Sequence, residues 1–340
     1  MSEPVDIKIA HINKAEINDS ILNKELVFEI FSKSNHEALA PFYKFQQTWV
    51  NTSYRTFQDF DTYLILMYLK QKIYVDYSDR FHYMSSDAFY SQDKIAIDKI
   101  NLIQISKSLI IPKETVRRKV NYLQKHEIIF RSGKSIYLNS KALEIIKPNK
   151  TLPMLSIFFE KMSVILSKED WFGKSIKREI IEQFIKDHFT VCWEYFYRFQ
   201  IPYLIRHRKA FGDLESWNVW GSIAIVQAAG FNDDLKKITR EELIGYDDYY
   251  TSLLKFKPIR GINASSIADI STIPRATVIR KLRSMEKKGF VRRNSKLEYT
   301  LGHAKNLKLF QQNYLINQKN LSDFCTTLFN LMKNSKFKID

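Results

Sequence analysis

The chain contains one segment twice. Residues 105–137 and 267–299 align without a gap at an offset of 162, and 11 of the 33 aligned positions are identical. A repeat of this kind predicts that the fold contains the same structural unit twice, whatever the individual helices and strands are. The identical pairs are Ile105/Ile267, Ile111/Ile273, Pro112/Pro274, Thr115/Thr277, Val116/Val278, Arg118/Arg280, Lys119/Lys281, Lys125/Lys287, Arg131/Arg293, Lys134/Lys296 and Tyr137/Tyr299.

The repeat extends beyond this segment. The sequence FYKFQ at 42–46 returns as FYRFQ at 196–200, now at an offset of 154, and the same offset pairs Asp59 with Asp213. The larger offset later in the chain indicates eight additional residues in the second copy. We expect them within 231–250, because insertions collect in surface loops.

Three regions follow from this pattern. A polar tail at 1–22 precedes one repeat at 23–170 and a second at 171–340. Each repeat has about 150 residues, a size at which a domain forms its own core.

Composition excludes several classes of protein. With 45% hydrophobic and 14% aromatic residues the chain is globular, no apolar run is long enough to span a membrane, and no secretory signal is visible. Cys192 and Cys325 alone predict neither a disulfide framework nor a zinc site, so we expect a cytoplasmic protein. Seven histidines lack metal-ligand spacing and there is no glycine-rich phosphate loop. We therefore expect no enzyme, no catalytic residue, no metal and no cofactor.

The net charge of +16 is concentrated in the repeated segment. Residues 113–134 hold seven Lys or Arg against two Glu, and 275–296 hold nine against one, so these two stretches carry +5 and +8. One basic face per repeat is typical of nucleic-acid binding. The alternative is a solvated helix face, but acidic partners at helical spacing are mostly missing.

The pattern inside each segment predicts helix, turn, helix and a two-stranded hairpin. In the second copy, a short helix (265–272) is followed by Ile273-Pro274 and by a helix from Arg275 to Lys288 with Val278, Leu282 and Met285 on its inner face. Gly289 is a candidate C-cap. The first copy has the same order, with Val116, Val120 and Leu123 inward.

This arrangement resembles the winged helix-turn-helix of MarR-type regulators. The stretch SIADISTIPRATVIRKLRSMEKKGFVRR is similar to the family's "IA" helix, recognition helix and wing, while the first copy has Glu127 in place of the glycine. The resemblance implies a mainly α fold with small β-wings, formed by two tandem winged helix-turn-helix domains with flanking dimerisation-type helices. The flanking segments would be Phe42–Tyr68, Phe196–Val226, Leu155–Leu166 and Leu315–Leu331.

Two such units in one chain look like a fused dimer, a single-chain pseudo-dimer. The alternatives are two independent domains on a string and a homodimer of the whole chain. The expected function is a sequence-specific, DNA-binding transcriptional regulator that reads a pseudo-palindromic site in double-stranded DNA. Its candidate DNA-binding residues are Lys113, Thr115, Arg117, Arg118, Asn121, Arg131 and Lys134 in the first copy, and Arg275, Ala276, Thr277, Arg280, Arg283, Arg292, Arg293 and Lys296 in the second. Lys119 and Lys281 are also expected to neutralise phosphates.

Other interpretations remain open at this point. Tandem winged helices also occur in plasmid- or phage-type replication initiators, and the repeats could instead form a protein–protein scaffold. The aromatic stretches at 42–50 and 188–203 could line a pocket for a small-molecule effector or form a helix–helix seam. The segment 74–95 could be a partner-binding insertion or an irregular loop.

Overall fold

The structure, a computed structural model, describes residues 22–97, 100–132, 135–168, 174–235, 261–302 and 307–335. These residues are mainly helical and form two small three-stranded antiparallel sheets. The predicted tail and most of the predicted insertion at 231–250 lie outside the described residues.

The first half of the chain (22–168) runs from a helical region through a small sheet to a long helix. Its elements are α1 (Lys24–Lys33), α2 (Asn35–Phe57), α3 (Phe60–Asp79), α4 (Ser86–Tyr90), β1 (Lys94–Ile97), α5 (Leu102–Leu109), α6 (Lys113–Lys125), β2 (Ile129–Ser132), β3 (Ser135–Asn139), α7 (Ser140–Ile145) and α8 (Thr151–Lys168).

The second half (174–335) repeats this order, but its described residues contain no counterpart of α4 or α7. Its elements are α9 (Arg178–Asp187), α10 (Phe189–Phe211), α11 (Leu214–Leu235), β4 (Ile262–Asn263), α12 (Ala264–Ser271), α13 (Arg275–Lys287), β5 (Val291–Arg293), β6 (Glu298–Leu301) and α14 (Leu307–Asn334).

Each sheet has the same topology. The strand orders are β1-β3-β2 and β4-β6-β5, all antiparallel, so the last strand lies between the other two. In each half the two helices that precede the hairpin are packed against each other. The order helix, helix, hairpin, which the repeated segment predicts, is therefore present twice. In each half a further strand, which the pattern does not predict, precedes the two helices and pairs with the hairpin.

The turns around these helices repeat in backbone detail. Ile110 and Thr272 end the shorter helices in the left-handed conformation, with φ of 55° and 60°. Glu127 and Gly289 follow the longer helices at φ of 57° and 76°. The C-cap of α13 is Lys288, so Gly289, the predicted C-cap, is the residue directly after it. The first half thus places a glutamate where glycine carries no steric penalty.

The long segments before each sheet, Phe42–Tyr68 and Phe196–Val226, are interrupted rather than continuous. Gln58 and Gly212 end α2 and α10 at positive φ. Directly afterwards the Asp59 carboxylate accepts the Thr62 N–H (2.8 Å) and the Asp213 carboxylate accepts the Ser216 N–H (2.7 Å). These aspartates begin the next helix by satisfying backbone donors that have no partner within the helix.

The two halves share one core. Helix α10 packs on α3 and α2 packs on α11, while α1 and α9 pack on α14 and α8, the long helices of the opposite halves. The buried apolar residues form a single cluster that runs through both halves. Two independent domains on a string would not show such packing.

At the centre, the FYKFQ and FYRFQ motifs meet. The side-chain amides of Gln46 and Gln200, both buried, hydrogen bond to each other in both directions at 2.8 Å. Around them, Phe45 contacts Phe196 and Phe42 contacts Phe199 through their rings. The aromatic stretches therefore form a helix–helix seam.

The segment 74–95 contains the end of α3, a loop and α4, and it packs against the second half. Met84 and Thr190 exchange hydrogen bonds at 3.0 and 3.2 Å, and Ser78 donates to Glu194. Phe89 of α4 is completely buried. The segment is consequently anchored on the second half through these contacts, while its loop faces solvent, with Phe81 82% exposed.

Candidate nucleic-acid interface

Helix α13 separates an apolar face from a basic one. Val278, Leu282 and Met285 are buried, as their spacing predicts. On the opposite side Arg275, Ala276, Arg280 and Arg283 are exposed, and Thr277 is half-buried. The guanidinium of Arg275 is held by the Ser265 hydroxyl at 3.0 Å. Arg280 and Arg283 form no ion pair within the described residues, so their donors face solvent.

Helix α6 presents the equivalent face with less free charge. Lys113, Arg117, Arg118 and Asn121 are exposed and Thr115 is half-buried. However, the Arg117 guanidinium donates twice to the Glu114 carboxylate, at 2.6 and 2.9 Å. This hydrogen bond lowers the pKa of Glu114, which stays ionised and offsets the positive charge of Arg117. Arg118, by contrast, has no such partner among the described residues.

The hairpins extend both basic faces. Arg131 of the first hairpin is exposed, as are Arg292, Arg293 and Lys296 of the second. Arg293 also lies 3.3 Å from the Glu286 carboxylate of α13, which ties the hairpin to the helix. Lys134 falls outside the described residues.

Two of the expected phosphate contacts are instead internal. Lys119 and Lys281 are only partly exposed, and their amines lie 2.7 Å from Asp59 and 2.6 Å from Asp213. Each pair links the outer helix to the first turn of α3 or α11. Because these ion pairs already compensate their charges, Lys119 and Lys281 are poor candidates for phosphate contacts.

In the second half, the ion pair between Asp213 and Lys281 also affects the pKa of Asp213. Burial of Asp213 opposes its ionised form, but hydrogen bonds from the Lys281 amine and the Ser216 N–H outweigh this effect. The net result is a pKa of Asp213 below its ordinary value. The carboxylate therefore remains ionised at neutral pH and keeps Lys281 in place.

Central helices contact the two repeated helix pairs, α5–α6 and α12–α13, through different side chains. In the first half, Arg208 of α10 donates to the Asp61 carboxylate (3.1 Å) and to the Ile110 carbonyl (2.8 Å), which lies between α5 and α6. In the second half, the Asn51 amide of α2 donates to the Ile270 carbonyl (2.6 Å) at the end of α12. Asn218 adds a hydrogen bond to the Ser271 carbonyl at 3.0 Å. The contacts made by Arg208 and Asn51 cross from one half to the other, whereas the Asn218 contact lies within the second half.

A pocket of about 90 Å³ adjoins these amide contacts in the second half. It lies between α2, α10, α11 and α14, and its wall includes residues of the predicted aromatic stretches. The lining residues are Phe42, Tyr43, Gln46, Gln47, Val50, Tyr203, His207, Trp217, Asn218, Trp220, Gly221, Ala224, Ile225, Asn313, Tyr314, Asn317, Gln318 and Leu321. Its polar wall includes Gln47, which donates to Asn218 at 2.9 Å.

Among the residues that the structure describes, no ionised side chain lines this pocket. Burial, together with the nearby charge of Arg206, lowers the pKa of His207 to about 3, so the ring is neutral at physiological pH. An added Cβ at Gly221 would meet no atom within 4 Å, which places this glycine against open space.

The matched positions in the first half are filled. When the repeats are aligned at the offset of 154, Gly221 corresponds to Met67 and Ala224 corresponds to Lys70. The side chains of Met67 and Lys70 are both buried. The Lys70 amine donates to the Tyr90 hydroxyl at 2.8 Å and lies 5.2–6.0 Å from the centres of five aromatic rings. Burial lowers the pKa of this amine. The open pocket thus distinguishes the second half from the first.

Several of these residues escape sequence analysis. The matched aspartates could have been found, since Asp59 and Asp213 stand at equivalent places before a helical pattern. Asn51 and Asn218 carry no such signal, because their partners are backbone carbonyls far away in the sequence. Within the described residues, no group of His, Cys, Asp and Glu could hold a metal ion, and no helix is long and apolar enough to cross a membrane.

Comparisons of the chain with protein-family models, with curated proteins and with solved structures give no match.

Proposed function

We propose that the chain is a sequence-specific DNA-binding transcriptional regulator of the MarR-like kind, built as a single-chain pseudo-dimer of two winged helix-turn-helix domains. The observation that carries this proposal is the repeated pair of outward basic helices, α6 and α13. Each follows the same strand and helix, and each is followed by a basic hairpin. The central helices join the two units through one core.

In the proposed complex, each outer helix enters the major groove and each hairpin contacts the DNA backbone. Arg118, Arg280 and Arg283 are exposed and suited to reading guanine through its O6 and N7 atoms. Lys113, Thr115, Arg117, Asn121, Arg275, Ala276 and Thr277 complete the helix faces. Phosphate contacts would come from Lys125, Arg131, Lys134, Lys287, Arg292, Arg293 and Lys296.

The two helices would not read the same sequence. Arg117 corresponds to Ile279 and Asn121 to Arg283. Arg117 also forms an ion pair with Glu114. The preferred site should therefore be an imperfect palindrome, with half-sites about 34 Å apart, one turn of B-DNA.

Selection of binding sites from random DNA, followed by footprinting, tests this proposal. We expect protection of two successive major grooves by one chain. Protection of one half-site per chain would contradict the pseudo-dimer, and failure to bind DNA at low salt would favour the protein–protein scaffold. Preferential protection of repeated origin sequences would favour the replication initiator.

A second proposal is that a small molecule regulates this protein from the pocket in the second half. The pocket touches Gln47 and Asn218, and Asn218 holds the Ser271 carbonyl just before α13. An effector that displaces these amides would change the position of one outer helix. Thermal-shift screening with small aromatic compounds, with Gly221→Met as the control, tests whether the pocket binds ligands.

A further inference from the structure

The second hairpin ends in a large apolar side chain that faces solvent. Leu297 is 62% exposed and has a φ of 61°, in the left-handed region. Arg293 and Tyr299 form the last paired positions of the hairpin, so Leu297 lies in the loop at its tip. Both the exposure and the backbone conformation are unfavourable for leucine.

The geometry of the loop makes this residue unusual. The Asn294 N–H donates to the Glu298 carbonyl (2.9 Å) and the Leu297 N–H to the Asn294 carbonyl (3.1 Å). A turn of this kind, with one left-handed residue next to the strand, ordinarily has glycine at the left-handed position. Here the chain places leucine there, and a strained position of this kind points to a function.

The tip is also fixed in direction. The Asn294 side-chain oxygen accepts the N–H groups of Lys296 (3.0 Å) and Glu298 (2.9 Å), and its amide donates to the Glu298 carboxylate (2.9 Å). Three side-chain hydrogen bonds therefore brace the four-residue loop between β5 and β6. Leu297 is held outward by this network rather than projecting at random.

The surroundings of Leu297 are cationic. Arg292, Arg293 and Lys296 are exposed on the same hairpin, and in a DNA complex they would bring the tip to the phosphates on either side of a groove. An apolar side chain gains nothing from phosphate contacts. It gains from contact with sugars and with the faces of partly unstacked bases, as apolar side chains do in the minor groove.

We propose that Leu297 is an apolar wedge that enters the minor groove beside the second half-site and kinks the DNA there. This inference rests on the proposed DNA binding and assigns a specificity-determining role to one residue. The matched residue in the first hairpin is Ser135, which is polar and half-buried. The kink is consequently confined to one half of the site, at a step that is easy to unstack.

The test uses DNA duplexes that the wild-type chain selects from random sequence, labelled at both ends for energy transfer. The wild-type chain should bend them by roughly 20–90°. Leu297→Ala and Leu297→Gly should lose most of this bend and tolerate more base changes next to the second half-site. The salt dependence of binding should stay unchanged, because no charge is removed. Ser135→Ala is the matched control and should bend DNA as the wild type does.

The glycine variant separates a wedge from a structural role. Because glycine suits the left-handed position, Leu297→Gly should melt at the same temperature as the wild type or higher. A wild-type bend in both Leu297 variants would overturn the wedge while leaving DNA binding intact. A different outcome would contradict the proposed function itself. In that outcome, the wild-type chain selects no preferred duplex from random DNA, and Arg280→Ala binds DNA as well as the wild type does. The wedge would then be excluded together with the proposed function.

Discussion

Gln46 and Gln200, which occupy the same position in the two repeats, hydrogen bond to each other through both amide groups at 2.8 Å. A residue that meets its own counterpart in this reciprocal way lies on a twofold axis of a symmetric dimer. Here both members belong to one chain, and both are buried in an aromatic core. The internal repeat thus has a local twofold centre at this pair.

Replacement of one glutamine should be more harmful than replacement of both. Gln46→Leu leaves the Gln200 amide buried without a partner and should cost about 1–3 kcal/mol of unfolding free energy. The double variant Gln46→Leu/Gln200→Leu removes both polar groups and should recover most of that loss. Urea denaturation of the wild type, Gln46→Leu, Gln200→Leu and the double variant gives the coupling energy. Additive losses would mean that the two amides do not depend on each other.

The ion pair between Asp213 and Lys281 should make the free energy of unfolding depend on pH in the acidic range. Since the folded pKa of Asp213 lies below its usual value, the stabilisation is fully present above about pH 4 and is lost as pH falls through the folded pKa. Asp213→Asn keeps a helix-capping side chain but removes the charge, so it should cost about 1–2 kcal/mol at pH 7.

Denaturation curves at pH 7 and pH 3 measure this difference. The loss caused by Asp213→Asn should shrink at the lower pH. Asp59→Asn, which removes the matched pair with Lys119 (2.7 Å), is the companion variant at pH 7. An equal loss from Asp213→Asn at both pH values would show that the charge does not matter.

Sequence analysis could predict the repeated parts of this fold. Apolar spacing at Val278, Leu282 and Met285 places the inner face of α13, and Pro274 places its start, because both signals are local. The packing of α10 on α3 could not be predicted in the same way, since it joins residues more than a hundred positions apart. Lys70 is the clearest surprise, because a lysine in a helix ordinarily reaches solvent and this one is surrounded by rings.

The sequence predicts which basic residues lie on the candidate site, but it does not predict which of them are already paired with a carboxylate. Exposed arginines follow from the outer-face positions of α6 and α13. Which basic side chains are already neutralised depends on residues elsewhere in the chain, such as Asp59 for Lys119 and Asp213 for Lys281. Charge counting alone therefore overstates the number of lysines available to phosphates.

Substitutions of Arg118 and Arg280 should affect different halves of a DNA site. Both side chains are exposed and lie off the buried stripe, so Arg118→Ala and Arg280→Ala should fold normally. Each should cost about 1–3 kcal/mol of binding and relax base preference in one half-site. The loss should be larger for Arg280, because the second face carries more charge. Binding-site selection with each variant measures the base preference at every position of the site. If both variants lose base preference at the same positions, the two helices do not read separate half-sites.

Salt should weaken DNA binding strongly. If roughly 6–10 phosphates are contacted, affinity should fall by about 10³–10⁵ between 50 and 200 mM salt. Lys281→Met should change this slope less than Arg292→Ala, because Lys281 is paired with Asp213 and Arg292 is exposed. Titrations at several salt concentrations test both statements. A flat dependence would mean that these basic faces do not contact DNA.

Filling the pocket should leave the fold intact. Gly221→Met introduces the residue that the first half has at Met67, into space where a Cβ meets no neighbour. We expect a stability cost of no more than about 1–3 kcal/mol and loss of any ligand-induced rise in melting temperature. Quenching of Trp217 and Trp220, which line the pocket, offers a second measurement. Undiminished ligand response in Gly221→Met would place the ligand elsewhere.

The packing of α2 on α11 and of α10 on α3 has a consequence for behaviour at low abundance. In a dimer of separate subunits, dilution separates the partners, and the folded state disappears with them. Here the two partners are covalently continuous, so their association is intramolecular and is not subject to dilution. A cell holding only a few copies would keep every one of them assembled.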